Sequence, residues 1–207
     1  MFIGICGGSG AGKTAFINAL RNHFAESELG LISEDNYYYP GHLQKLDSNG
    51  IVNYDIPEAI DHEAFISDLH KLKAGEKVER KEYTFNNDLQ TAKLICIHPA
   101  KVYIVEGLFI LYHEDTRDLL DLTVLIHAKD NLKIIRRINR DKDERNYPLD
   151  DVLYRYQYHV TPAYDKYIKP YIDELDIIIN NNQSFDKGVD LLSAYIRVHL
   201  ERLEVEK

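Results

Sequence analysis

Residues 5 to 17 read "ICGGSGAGKTAFI". An apolar run drives into four glycines and leaves through Lys13 and Thr14 into more apolar residues. Backbone this flexible, placed directly after a strand-like segment, suits close approach to a ligand. Glycine lets successive N–H groups turn inward around an anion without a Cβ in the way. Gly7, Gly12, Lys13 and Thr14 match the spacing G-x-x-x-x-G-K-[ST]. In that pattern the lysine reaches the outer phosphates of a nucleoside triphosphate and the hydroxyl ligates Mg²⁺. A helix starting there adds its positive dipole end. Gly7, Gly8, Ser9, Gly10, Ala11, Gly12, Lys13 and Thr14 are therefore the expected triphosphate cradle.

Outward from this loop, β-branched apolar segments recur at 2–6, 30–33, 101–106, 122–127 and 175–180. Near-continuous hydrophobic strands of this kind belong to a parallel sheet covered on both faces. Helices are expected at 13–26, 62–73, 130–140, 149–167 and 186–203, with Asp61 as an N-cap and Gly75 past a helix end. The alternation predicts an α/β doubly wound fold. Residues 78 to 98 differ: "KVERKEYTF" and "TAKLICIH" alternate with period two around "NND", so a β-hairpin is expected there.

The 207 residues carry a net charge of -9, which argues against a nucleic-acid partner bound through a basic surface. Cys6 and Cys96 lie in apolar stretches, suiting buried thiols in a reducing compartment. No apolar run approaches the roughly 20 residues of a membrane span, and no leader pattern is seen. A cytoplasmic protein with no membrane partner is expected.

In open α/β sheets ligands collect at the carboxyl ends of the strands. "SEDNYY" follows the second strand and Glu106 closes the third, which brings Asp35 and Glu106 toward the phosphates. An acid there either takes or orients the proton of an attacking hydroxyl, or holds Mg²⁺. Asp35, in a tyrosine-rich loop, suits the first use. Glu106, inside "YIVEGLFIL", suits the second, because a bare buried carboxylate is costly without a partner. Residues 129–147 hold seven Lys/Arg against four acids, a local +3 in an acidic chain. Arg136 with Arg140, and Lys133 with Arg137, share helix faces by their spacing of four. Such a helix is either a solvated charged face or a lid that carries guanidinium groups to a transferring phosphoryl.

Taken together, "GGSGAGKT", "SEDNYY", "NYDIPEAID", "VEGLFILY", "RRINRD" and "YDKYIKP" resemble the uridine kinase (uridine–cytidine kinase) family, within the phosphoribulokinase group. The resemblance runs from residue 2 to about 180. It implies a single P-loop kinase domain over 1–207, with the hairpin insert at about 78–98 and an Arg-rich lid at about 136–165. The implied reaction transfers the γ-phosphoryl of ATP or GTP, with Mg²⁺, to the 5'-hydroxyl of uridine or cytidine.

By position, the resemblance makes Asp35 the base, with Lys13, Arg137 and Arg140 as catalytic cations and Thr14 and Glu106 toward the metal. Tyr38, Tyr54 and Asp55 would line the nucleoside pocket, and Tyr83 and Phe85 would bound the base. Arg137, Arg140 and Arg145 would face substrate and phosphates, and the family suggests a tetramer. Three positions depart from the family pattern: Asp88 where a histidine is usual, Tyr147 in "ERNY", and Arg155 in "YRYQYHV". Asp88 would either favour an exocyclic amine on the base or pair with Arg155. Another small acceptor of the same group, such as nicotinamide riboside, suits the same residues. A P-loop switch is the reading from a different class, but it lacks an N/T-K-x-D element. The tyrosines crowded between 147 and 171 are expected mostly to pack the lid helix or a subunit contact.

Overall fold

The computed structural model describes residues 1–84, 91–145 and 147–205, and for Glu144 and Arg145 the backbone alone. The chain opens with β1 (Phe2–Cys6), whose five residues are all buried. Phe2 and Cys6 join one apolar cluster while Ile3 and Ile5 join another. This is the period-two alternation of a strand buried on both faces.

After the glycine loop come α1 (Lys13–Arg21) and β2 (Leu29–Ser33). A single 3₁₀ turn (Glu34–Tyr37) and an extended segment lead to α2 (His62–Lys73). Asp61 caps α2 by accepting from Ala64 N at 3.1 Å. At the other end Gly75 N reaches Leu72 O and Glu76 N reaches Lys71 O, with Gly75 at φ 78°. That Schellman arrangement places a glycine at the left-handed position.

β3 (Val78–Lys81) and β4 (Leu94–Ile97) form the antiparallel hairpin, with Val78 opposite Ile97. Phe85 and Asp88, at its expected tip, lie outside the described residues. Cys6 is buried but Cys96 is exposed, against the expectation of two buried thiols. The hairpin is a two-stranded sheet of its own, so one side of Cys96 has no layer to pack against.

The chain then re-enters the sheet as β5 (Val102–Glu106) and passes a short α3 (Glu114–Arg117) to β6 (Leu122–His127). α4 (Asp130–Arg145) follows, then α5 (Leu149–Arg155) and α6 (Thr161–Tyr167). β7 (Ile177–Asn180) and α7 (Asp186–Val205) complete the described chain. Among the described residues the main sheet has five strands in the order β2-β5-β1-β6-β7, every pairing parallel. Helices α1 and α7 cover one face through Phe16, Leu20, Leu192 and Ile196. Phe65 and Leu69 of α2, Phe109 and Tyr167 cover the other. Each fully buried side chain of this size contributes about 1.5–3 kcal/mol.

Three elements differ from the sequence expectation, the first being α4, which runs to Arg145 instead of 140. α1 ends at Arg21, not 26. The segment expected as one helix over 149–167 is interrupted by a π-helical turn at Tyr156–Val160. Pro162 is the physical cause: it offers no N–H and its ring crowds the preceding turn. The Thr161 N–H and hydroxyl both turn to Tyr156 O, the hydroxyl at 2.9 Å.

Candidate active site

The sheet order puts the site where β1 leaves the centre of the sheet, flanked by the carboxyl ends of β5 and β6. This is the switch point at which open α/β sheets take their ligands. The glycine loop wraps that end. Gly12 is left-handed at φ 98° and precedes the first residue of α1. A Cβ on Gly12 would collide with Asn181 Nδ2, which donates to Ala11 O at 2.8 Å. A Cβ on Gly10, at φ 80°, would collide with Lys133 O. The glycines therefore let both the loop after β7 and helix α4 close onto the cradle. Lys13 Nζ donates to Gly7 O at 3.0 Å.

A cavity of about 350 Å³ opens from this loop. Its phosphate-loop wall includes Gly8, Ser9, Gly10, Gly12, Lys13 and Thr14. Asp35 and Glu106 stand in the middle, and Tyr38, Tyr54, Asp55 and Tyr83 line the far end. Arg136, Arg137, Arg140, Tyr147 and Arg155 close it from the helical side. Most of the site residues expected from sequence thus share one space. Gly7 and Ala11 belong to the loop without lining the cavity, and Phe85, Asp88 and the Arg145 side chain are outside the described residues.

The acids are organised by parallel pairing, which sets Ser33 of β2 beside Glu106 of β5. The Ser33 hydroxyl donates to Glu106 Oε1 at 2.5 Å and accepts from Asp35 N at 3.2 Å. Ser33 caps the 3₁₀ turn, which leaves the Asp35 carboxylate at the cavity wall. Burial, and then the charge of Asp35, raise Glu106 to about 7 against the pull of Lys13 and the Ser33 hydroxyl. Glu34 is buried behind them and accepts from Phe109 N at 2.8 Å. Its carboxyl is pushed to about 8 by burial, with Asp35 and Glu106 adding to the shift. Gly107 has no side chain where the Glu34 carboxyl sits.

The charged helix is not a solvated face. Lys133 and Arg137 are only 6% and 7% exposed. Arg137 Nη1 donates to Ser9 Oγ at 2.8 Å, tying α4 to the glycine loop. Asp141, 1% exposed, lies 3.2 Å from Arg137 Nε and 2.7 Å from Arg140 Nη2, so one buried carboxylate fixes both guanidinium groups. Arg136 Nη2 donates to Asn181 O at 2.9 Å. Lys133 Nζ pairs with Asp130 at 2.8 Å and lies 4.2 Å from the Tyr164 ring centre.

At the far end Tyr38 meets Tyr54 edge-on at 5.9 Å and Tyr83 at 5.3 Å. Tyr83 N donates to Asn36 Oδ1 at 3.1 Å, which ties the hairpin to the turn bearing Asp35. Burial raises the Tyr38 hydroxyl, helped by the charges of Asp35 and Asp55. Burial also raises Asp55, against the positive field of Arg137, His159, Arg155 and Arg140. Arg155 donates to Val52 O at 2.7 Å. Sequence reasoning missed Ser33, Asp141 and Asn181 as organisers. Ser33 stood in the quoted "SEDNYY", whereas nothing local marks Asn181.

A phosphate loop at the switch point, strand-tip acids and a buried cationic helix define a P-loop phosphotransferase. The chain matches the model of the Phosphoribulokinase / Uridine kinase family over residues 2–186. It is 33% identical over 207 residues to "Uridine kinase" of Streptococcus pneumoniae (strain Hungary19A-6), covering 100% of this chain and 98% of that protein. The chain belongs to the phosphoribulokinase/uridine kinase family. Phosphoribulokinase from Rhodobacter spheroides has the same fold at TM-score 0.64 and 16% identity, over 86% of this chain and 69% of that one. D-glycerate 3-kinase from Cryptococcus neoformans does so at 0.61 and 17%, over 87% and 86%. The protein is accordingly a small-molecule kinase. No helix among the described residues is long and apolar enough to cross a membrane.

Proposed function

We propose that the protein transfers the γ-phosphoryl of ATP or GTP to the 5'-hydroxyl of a pyrimidine ribonucleoside, uridine or cytidine. The observation that carries this reading is one cavity lined by the glycine loop, by Asp35 and by Tyr38, Tyr54, Asp55 and Tyr83, with Asp35 neighbouring both Glu106 and Tyr38. The full-length likeness to a bacterial uridine kinase supports the choice of acceptor.

The loop amides and Lys13 hold the triphosphate, with Arg137 and Arg140 over the transferring group. Phosphoryl transfer demands little covalent chemistry from a protein, so fixed positive charge and alignment lower the barrier. The Asp141 carboxylate fixes both guanidinium groups and limits the reorganisation left to the reaction. Asp35 accepts or orients the acceptor's hydroxyl proton. Asp55 takes the ribose hydroxyls, and the three tyrosines enclose the base and sugar. The all-oxygen set of Thr14 and Glu106, with a buried carboxylate that ionises poorly on its own, suits Mg²⁺. When bound there, Mg²⁺ would neutralise phosphate charge. Along the chain, 1–207 acts as one kinase domain, with about 136–165 as its lid.

A panel of uridine, cytidine, adenosine, guanosine and nicotinamide riboside in a coupled ADP-release assay tests the proposal. Turnover with a pyrimidine nucleoside above the rest is the expected outcome. Turnover with nicotinamide riboside alone overturns the choice of acceptor, and hydrolysis independent of any acceptor overturns the kinase reading itself.

A further inference from the structure

The turn at Asp47–Val52 leads, through Asn53, into Tyr54 and Asp55 of the cavity wall, yet it buries little. Leu43 and Leu46 are each 62% exposed, and Lys45, Ser48, Asn49 and Gly50 are exposed as well. Apolar packing therefore cannot hold this segment in place. Polar contacts do so: the backbone pairs Asp47 N with Ile51 O and Asn53 N with Lys45 O, and the side-chain contacts converge on one carboxylate. Asp47 Oδ1 accepts from Asn49 N and Ile51 N, both at 2.9 Å. Asp47 Oδ2 accepts from Tyr154 OH at 2.8 Å and faces His159 Nε2 at 2.7 Å. Asn49 Nδ2 also donates to Tyr154 OH, at 2.6 Å. One residue along, Arg155 holds Val52 O. Burial opposes ionisation of Asp47, but its donors outweigh that cost and keep the carboxyl well below its usual range.

His159 is 2% exposed, so its bond to a carboxylate is made in the interior. The reach of both Tyr154 and His159 to one oxygen depends on the backbone. In a regular α-helix residues five apart point about 140° away from each other. The π turn at Tyr156–Val160 adds a residue to one turn, so positions five apart lie one above the other. The helix break at Pro162 thus puts Tyr154 and His159 on the same face.

We propose that Asp47, His159 and Tyr154 form a latch that positions Tyr54 and Asp55 for the acceptor. These are positioning residues specific to the acceptor half of the cavity. The proposal rests on the nucleoside kinase reading, and it accounts for a π turn and a buried histidine that the phosphoryl chemistry does not use.

The test measures kcat, acceptor KM with uridine or cytidine, and donor KM with ATP, for Tyr154→Phe, His159→Leu, His159→Gln and Asp47→Ala. It adds hydrogen exchange of the Asn49 and Ile51 amides. His159→Leu and Asp47→Ala should raise acceptor KM at least about tenfold, the effect of one charge-assisted hydrogen bond. Their kcat and donor KM should stay within about twofold of wild type, and the two amides should exchange faster. His159→Gln keeps an N–H donor and should recover most of the loss. Tyr154→Phe removes only a surface hydroxyl, so it folds and should give a smaller rise of the same kind. Wild-type acceptor KM and exchange in Tyr154→Phe and His159→Leu overturn the latch, as do kcat and donor KM that change as much as acceptor KM. Should the wild type phosphorylate no nucleoside, the acceptor reading falls, and the exchange of the two amides alone decides the latch.

Discussion

The two ends of the cavity are built in opposite ways. The phosphate end comes from one contiguous stretch, Gly7 to Thr14, set between a fully buried strand and a helix. Its shape is carried by backbone, and its glycines exist because Lys133 and Asn181 pack against them. The other end, which we propose takes the acceptor, is gathered from the turn after β2, Tyr54 and Asp55, the hairpin and helices α4 and α5. Side-chain bonds hold it together: Tyr83 to Asn36, Arg155 to Val52, and Asp47 to His159. A backbone-built site tolerates drift elsewhere in the sequence, whereas a side-chain-built site can change its ligand through a few substitutions. That difference fits a family whose members share phosphate chemistry and differ in acceptor.

Asp35 lies where the ends meet, so Asp35→Asn should give the largest effect. It should lower kcat by about 10²–10⁴ while ATP affinity by calorimetry stays near wild type. Loss of ATP binding in that variant would break the division between the ends. Lys13→Ala should act on the phosphate end, lowering turnover by about 10²–10³ and weakening ATP binding with it, with nucleoside binding spared.

Glu34→Gln separates structure from chemistry. Glu34 titrates at about 8 in the fold and near 4.5 in the unfolded chain, so the folded state holds the extra proton between those values. Stability therefore falls as pH rises from about 4.5 through about 8. The glutamine should flatten that slope and add on the order of 2 kcal/mol at pH 8.5, less than the full displacement would give at 1.36 kcal/mol per pKa unit. Denaturant melts across pH check this, and an unchanged slope refutes it. Gly12→Ala should cost about 1–2 kcal/mol of left-handed strain and also displace Asn181 Nδ2 from Ala11 O, read together as a lower melting temperature. It should weaken ATP binding before nucleoside binding.

The legible parts of the molecule are those written in local pattern. The strands, the glycine loop and the helix caps at Asp61 and Gly75 all stand within a few residues of their first reading. Arg136, Arg137 and Arg140 were visible as a charge excess, but a charged run reads the same whether solvated or buried. Only the packing of α4 against Ser9 and Asn181 distinguishes the two. The exposure of Cys96 and the π turn at Tyr156–Val160 escaped for a similar reason, because each depends on which surface lies opposite.

The parallel sheet, the glycine loop and the strand-tip acids were written in the sequence, since a near-continuous apolar run and a glycine-lysine spacing act over a handful of bonds. The tertiary structure alone decided which partners those groups meet. Ser33 reaches Glu106 across 73 positions, and His159 reaches Asp47 across 112. Contacts so far apart along the chain leave no periodic trace, because they form only when sheet order and helix packing bring the segments together.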